Sequence, residues 1–436
     1  MTLPKSSSRQ RWIPFRWAAA LAAVMMLAVA CGSSDEQETA PAPSPTPTPA
    51  ATIAPPEPTA TPTAIPEVTE APDEPTPQAT ATGFARALSL EDAVGQLFLI
   101  GIPGPQLETE TADALDRIKP GGVILFDYDG PSGGEVPRNI VSPEQLRQLV
   151  TDLQSRPSIP YFVAIDAEGG FVNRLKEKYG FTVAVPSAQT LGQGAPSDTA
   201  AIIAALATEM NEMGINWNLA PVVDVNVFPE SPAIGYWERS FSADPAVVAD
   251  HAEAFIGALQ QGQVIPTLKH FPGHGSAVGD THLGVTDVTA SYIAEDELAP
   301  YRELIDGGYD DVVMTAHIVN RNLDATATPA TLSAPIMTDL LRGDLGFEGV
   351  VISDDMQMGA IVEEYTMEHA VIAAINAGVD VILMANQAAP YDPVQIEGIK
   401  QAIIDAVRNG EISEDRIYQS VERILTLKRK YGIIEP

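Results

Sequence analysis

The stretch Gly262-Gln263-Val264-Ile265-Pro266-Thr267-Leu268-Lys269-His270-Phe271-Pro272-Gly273-His274-Gly275 decides the fold. Residues 245–262 before it carry helical spacing, open on Pro245 and stop at Gly262. Residues 264–268 are a short apolar run with β character. The chain then turns abruptly polar, with Lys269, His270 and His274 in a loop that Pro272-Gly273 keeps from being a regular helix. Helix, buried strand and chemically loaded loop form one unit of an α/β protein whose reactive groups sit at the carboxyl ends of its strands.

Seven further runs have the same character, at residues 97–100, 123–126, 162–165, 215–219, 311–315, 350–352 and 379–383. They are mostly apolar on both pleat faces, as strands buried in a parallel sheet are. Helical segments lie between them. One starts at Pro143, with Ser142 placed to cap it, and others cover 199–213, 367–377 (ended by Gly378) and 414–431. Eight strands alternating with helices over residues 83–436 predict an α/β fold, a (β/α)8 TIM-type barrel forming a single catalytic domain. A doubly wound open sheet is the alternative, but no dinucleotide glycine fingerprint follows any strand.

The remaining residues have a different composition. The chain has 436 residues, net charge −33, 37 prolines and one cysteine. Lys5, Arg9, Arg11 and Arg16 precede an apolar run that ends at Cys31. That run is short for a bilayer span and reads as an export signal. Leu27-Ala28-Val29-Ala30-Cys31-Gly32 resembles a bacterial lipoprotein box, which implies lipidation of Cys31 and a membrane anchor without a spanning helix. Residues 1–31 are therefore expected to be the signal, and residues 32–82 a Pro/Thr/Ala-rich linker. The linker holds 13 prolines and no Lys or Arg. Such a tract buries no core and favours extended polyproline II, with a reach on the order of 150 Å. With four cations in 1–31 and eight acids in 32–82, residues 83–436 carry −29. This charge argues against a nucleic-acid partner and suits a neutral ligand and a soluble, monomeric head, which the export signal places outside the cytoplasm.

Polar groups recur just after the strand runs. They include Asp166-Ala167-Glu168-Gly169-Gly170-Phe171-Val172-Asn173-Arg174, Ala220-Pro221-Val222-Val223-Asp224, Arg239-Ser240-Phe241, Lys269 to His274, Gly279-Asp280-Thr281-His282, His317 and Ser353-Asp354-Asp355. An aspartate at a strand end can act as a nucleophile. A histidine fixed by an aspartate two residues away, as His282 is by Asp280, can serve as acid and then base. Together these are the parts of a retaining glycoside hydrolysis in which histidine replaces the usual acid/base carboxylate.

Lys269–Gly275 with Gly279-Asp280-Thr281-His282, and Ser353-Asp354-Asp355-Met356-Gln357-Met358, resemble the signatures of bacterial β-N-acetylglucosaminidases of glycoside hydrolase family 3 (the NagZ type). The Asp166, Ala220 and Arg239 segments and Ala377-Gly378-Val379-Asp380 match in order, so the resemblance covers roughly residues 89–432. It implies Asp354 as nucleophile, His282 as acid/base on a mobile loop, and Asp280 as its dyad partner. It also implies that Asp166, Arg174, Arg239, Lys269 and His270 bind a carbohydrate substrate, an N-acetylglucosamine-containing glycan, with no cofactor and no metal. Phe171 departs from the family, which usually has Arg there. Trp237-Glu238 also departs from the family's short Gly-Asn or Gly-Asp lead-in to Arg239, so the rim of the pocket is expected to differ and the resemblance does not fix the aglycone.

Four alternatives stand beside this reading. They are a β-glucosidase, an N-acetylglucosaminide phosphorylase of the same fold, a metal hydrolase with His270, His274, His282, Asp280 and Asp354 as ligands, and a lipid-anchored wall-binding module that is not an enzyme. Asp224 is expected either to orient Lys269 or Arg239 or simply to end a strand, Asp355 to be structural, and His274 to shape its loop. His317 is expected either near the site or in the core, and His251 and His369 in surface or packing roles on helices.

Overall fold

The computed structural model describes residues 83–388 and 390–435. The expectations for residues 1–82, including lipidation at Cys31 and the 32–82 linker, lie outside the described residues. Among the described residues no helix is long and apolar enough to cross a membrane.

Twelve strands are described. They are β1 (Phe98–Gly101), β2 (Gly122–Ile124), β3 (Phe162–Ile165), β4 (Ala167–Gly169), β5 (Val172–Asn173), β6 (Trp217–Asn218), β7 (Leu268–Phe271), β8 (Thr286–Asp287), β9 (Val312–Thr315), β10 (Ile318–Val319), β11 (Val350–Ile352) and β12 (Ile382–Met384). All eight expected runs contribute a strand. Five form one parallel sheet in the order β12-β1-β2-β3-β6, and three form a second in the order β11-β9-β7. Leu99 pairs with both Gly122 and Leu383, which sets β1 between its neighbours. Two single parallel bridges, Trp217 to Ile265 and Ile352 to Val381, run from a strand of one sheet to the residues leading into a strand of the other.

The fold is therefore α/β with parallel sheets, and the sequence periodicity explains why. The strand residues are buried on both faces, and helices cover the outside with one apolar side each. Ser142 caps Pro143–Gln154 by accepting from the Gln145 N–H at 3.2 Å, as the sequence implied. Helices Pro196–Glu212, Pro245–Gln261, Met367–Ala377 and Glu414–Lys430 fall within a few residues of their expected bounds. The fifth run differs: ladder pairing begins at Leu268, and Ile265 contributes only a bridge. Pro266 lacks the amide donor that a continuous ladder would need there.

The amino ends of the strands are held by charge. Asp380, just before β12, is fully buried and accepts from Arg342 Nη2 at 2.7 Å, Ser420 Oγ at 2.6 Å, Val351 N at 3.0 Å, and both Arg416 and Arg423 at 3.2 Å. Burial alone would raise its pKa, but Arg423, Arg342 and Arg416 hold it well below the usual carboxylate range. Asp380→Ala leaves these cations without a counter-charge and is expected to cost about 3 kcal/mol in urea denaturation, since breaking a buried pair exposes the full desolvation penalty. The substitution lies away from the cavity, so activity per folded molecule should be unchanged.

Candidate active site

Seven of the eight residues expected in catalysis or substrate binding line a single cavity of about 410 Å³. They are Asp166, Arg174, Arg239, Lys269, His270, His282 and Asp354. The eighth, Asp280, stands behind His282. Asp166 and Asp354 stand just after β3 and β11, Lys269 and His270 lie within β7 and not in the loop expected to follow it, and Arg239 and His282 come from the long connections after β6 and β7, which is how residues as far apart in sequence as Asp166 and Asp354 reach one volume.

One wall is an ion-paired floor. Asp166 follows β3 directly and accepts from Lys269 Nζ at 3.0 Å and Arg174 Nη2 at 3.1 Å. Glu168, in the β4–β5 hairpin, takes both arms of Arg239 at 2.8 Å and Lys269 Nζ at 2.6 Å. Burial would push both carboxyls up. The cations more than offset it, so both are held down, Glu168 well below the carboxylate range. Burial would lower Lys269, but Glu168 and Asp166 raise it. The wall is therefore a set of fixed charges that need no reorganisation when a polar ligand arrives. Glu168 was not expected as a site residue. Its role depends on Arg239, 71 positions away.

His270 is oriented by Asp224. Its Nδ1 donates to Asp224 Oδ2 at 2.7 Å, and its Nε2 lies 3.2 Å from Arg239 Nη2. Asp224 Oδ1 also accepts the backbone amides of His270 and His274, at 3.1 and 2.8 Å. Asp224 thus holds the histidine segment and bonds neither Lys269 nor Arg239, contrary to the expected orienting role. Gly275 allows this loop to lie against the preceding one, because a Cβ there would meet the Val225 carbonyl oxygen at 1.7 Å. His274 is buried, with Nε2 at 3.4 Å from Thr281, and burial, aided by His270, pulls its pKa down to about 4. It therefore stays neutral and shapes the loop. Among the described residues no group of three His, Cys, Asp or Glu is arranged to hold a metal ion.

Asp354 follows β11. Its Oδ1 accepts from the Asp355 amide at 2.8 Å, and Oδ2 has no hydrogen-bond partner among the described residues. Burial raises its pKa, but His270, His317, His282 and the Asp355 amide outweigh it and bring it to about 2. Asp355 also borders the cavity, but its Oδ1 is taken by Gln357 N and Ala385 N, and burial raises its pKa to about 6. It ties this loop to the one after β12, a structural role as expected. His317 is fully buried and donates from Nε2 to the Asp355 carbonyl oxygen at 3.0 Å, so it supports the Asp354 loop from below. His251 packs on Phe241 and bonds Thr199.

His282 is exposed at the cavity mouth. Its Nδ1 donates to Asp280 Oδ1 at 2.8 Å, which leaves Nε2 as the atom available to a ligand. The Asp280 bond raises the His282 pKa against some desolvation, with Asp354 adding to the rise. Asp280 is correspondingly lowered, chiefly by His282. One ionised carboxylate and one imidazole biased towards its acid form therefore share a cavity floored by donors and acceptors, a set suited to acid-assisted displacement at a sugar carbon.

Residues 89–427 match the family model described as the glycosyl hydrolase family 3 N terminal domain. The chain is 33% identical over 347 residues to a β-hexosaminidase A of Pseudoalteromonas piscicida, spanning 74% of this chain and 56% of that protein. It is 36% identical over 352 residues to a β-hexosaminidase of Xylella fastidiosa, spanning 78% of this chain and 97% of the relative. Among solved structures, a family 3 β-N-acetylglucosaminidase from Paenibacillus sp. superposes with TM-score 0.72 at 33% identity, covering 79% of this chain and 63% of that one. A β-N-acetylhexosaminidase from Beutenbergia cavernae gives 0.68 at 30%, covering 78% and 98%.

Proposed function

The chain belongs to glycoside hydrolase family 3, and from that premise we propose that it is a retaining exo-β-N-acetylglucosaminidase. It removes terminal non-reducing N-acetylglucosamine from peptidoglycan fragments or chito-oligosaccharides. The observation that carries this reading is the pairing, in one cavity, of the ionised Asp354 with the Asp280-held His282 above a floor of fixed charges. The relatives' names supply the N-acetylhexosamine.

In the first step His282 gives its Nε2 proton to the glycosidic oxygen while Asp354 attacks the anomeric carbon, forming a glycosyl ester and releasing the aglycone. In the second step His282, now neutral, takes a proton from water, which attacks the same carbon and frees Asp354. Asp166, Arg174, Arg239, Lys269 and His270 bind and orient the sugar, and the reaction needs no cofactor.

The two parallel sheets close into one (β/α)8 barrel. Support for closure comes from the two bridges that link β6 to the β7 run and β11 to the β12 run. The head works as a monomer outside the cytoplasm, on the tether of residues 32–82, with lipid on Cys31 holding it to the membrane. Radiolabelled palmitate should enter the full chain, and Cys31→Ser should lose both label and membrane fractionation. Label surviving that change would sink the anchor.

The activity test compares the full chain on p-nitrophenyl N-acetyl-β-glucosaminide and p-nitrophenyl β-glucoside, with and without phosphate. The N-acetyl substrate should be turned over faster, and phosphate should leave the product a free sugar. Faster glucoside turnover would assign a β-glucosidase, and accumulation of the sugar 1-phosphate would assign a phosphorylase.

A further inference from the structure

Three large aromatic side chains stand together in solvent beside the cavity. Phe171 is 61% exposed, Tyr236 69% and Trp237 42%. Phe171 and Trp237 meet edge to face with centroids 5.5 Å apart, and Tyr236 and Trp237 do so at 5.1 Å. Single exposed apolar residues need no explanation, but a contiguous aromatic patch does. This patch is continuous with the site: Phe171 immediately precedes Val172 and Trp237 lies two residues before Arg239, and both Val172 and Arg239 line the cavity.

The patch is also built, not loose. Residues 231–239 fold back on themselves through Tyr236 N to Ser231 O at 2.9 Å, Glu238 N to Gly235 O at 3.0 Å and Arg239 N to Ile234 O at 3.1 Å. Glu238 takes a left-handed φ of 55°, and its carbonyl accepts from Gln189 N at 3.2 Å. Arg239 anchors the end of the segment on Glu168. Phe171 sits at the tip of the β4–β5 hairpin, whose turn places Gly169 and Gly170 at positive φ. The rings are therefore positioned before any ligand arrives, which lowers the ordering cost of binding.

We propose that Phe171, Tyr236 and Trp237 form a stacking platform for the second sugar ring, the one that leaves, and that this ring is an uncharged pyranose. The proposal rests on the glycosidase reading above and deepens it by naming the leaving group. A pyranose presents a face of axial C–H bonds, weakly positive, that matches the negative face of an aromatic ring. The charges on this segment are the carboxylate of Glu238 and the guanidinium of Arg239, which Glu168 already neutralises, and Glu230 stands just before it. A sugar carrying its own carboxylate gains no free cation on this segment and is repelled by its carboxylates, whereas an uncharged N-acetylglucosamine is not. The platform thus favours chito-oligosaccharides over glycans whose second sugar is acidic.

The test uses the full chain and the variants Trp237→Ala, Phe171→Ala and Trp237→Phe. kcat/KM is measured on N,N′-diacetylchitobiose, whose second ring reaches the platform, and on methyl N-acetyl-β-glucosaminide, which has no second ring. Trp237→Ala should lose about tenfold on the disaccharide, mainly in KM, and less than about twofold on the methyl glycoside. Trp237→Phe should restore most of the loss. Equal losses on both substrates would make the aromatics a support of the cavity, and no loss on either would remove the platform; each overturns the proposal. A disaccharide with a carboxylate-bearing second sugar that outperforms the neutral one would overturn the assignment of charge. Calorimetric titration with N,N′,N″-triacetylchitotriose separates the two levels of inference. If the unmodified chain turns over neither substrate, the glycosidase reading fails, while a tenfold weaker trisaccharide affinity in Trp237→Ala still supports the platform and an unchanged affinity overturns it.

Discussion

Asp354→Asn is expected to reduce turnover by at least about 10⁴-fold while leaving the protein folded and able to bind N-acetylglucosamine. The substitution keeps the shape of the side chain and the oxygen that accepts from the Asp355 amide at 2.8 Å. It removes the negative charge, and with it the oxygen that would bond to the anomeric carbon. His270, His317 and His282 overcome the cost of burying that charge and hold the carboxyl ionised down to about pH 2. Protonation of the nucleophile should therefore not limit kcat/KM at any pH above about 4. The second measurement is chemical. A 5-fluoro N-acetylglucosaminyl donor with a good leaving group should add the mass of one sugar to the peptide bearing Asp354 in the unmodified chain, and none in the variant. Turnover that survives Asp354→Asn, or a label on Asp355, would move the nucleophile elsewhere.

The strand ends of this chain were readable because burial on both faces leaves an unusual signature. Runs such as Phe162–Ile165 and Val350–Ile352 carry no polar residue, so the first charged residue after each run marks the point where the chain leaves the core. Asp166 and Asp354 stand at such points, and the structure brings them to one cavity. The β4–β5 hairpin was not readable. Ala167-Glu168-Gly169-Gly170 has little β propensity, and its pairing follows from the turn at Gly169-Gly170 and from Glu168 meeting Arg239 and Lys269. The short parallel pair of β8 and β10 likewise has only two residues a side, too few for any periodicity. Glu168 and Asp224 leave no mark in the local sequence. Each acts by holding another side chain, and the partner of such a group is set by tertiary packing. Spacing along the chain exposes a dyad like Asp280 and His282, two residues apart, but not one like Asp224 and His270, 46 apart.

His282→Ala is expected to lower kcat/KM on N,N′-diacetylchitobiose by about 10³- to 10⁴-fold, the upper part of the range for removing a general acid/base. The loss should depend on the leaving group. A sugar alcohol needs a proton to depart, whereas 2,4-dinitrophenolate does not, so formation of the glycosyl ester from a dinitrophenyl donor should be much less affected. The second step then stalls, because no base remains to activate water. Azide, which attacks without deprotonation, should restore turnover and give a β-glycosyl azide of retained configuration. The dyad partner provides the sign of the pH dependence. Asp280 stabilises the imidazolium and raises the His282 pKa above its ordinary value, so the unmodified enzyme keeps its acid form to higher pH than an isolated histidine would. Asp280→Asn withdraws that charge while leaving an oxygen to accept from Nδ1. The basic limb of the kcat/KM profile should therefore move to lower pH, with the acid limb, governed by Asp354, unmoved. A histidine that merely lined the cavity mouth would show neither the azide product nor the shifted limb. If both were absent, the acid/base role would have to pass to another group at the cavity.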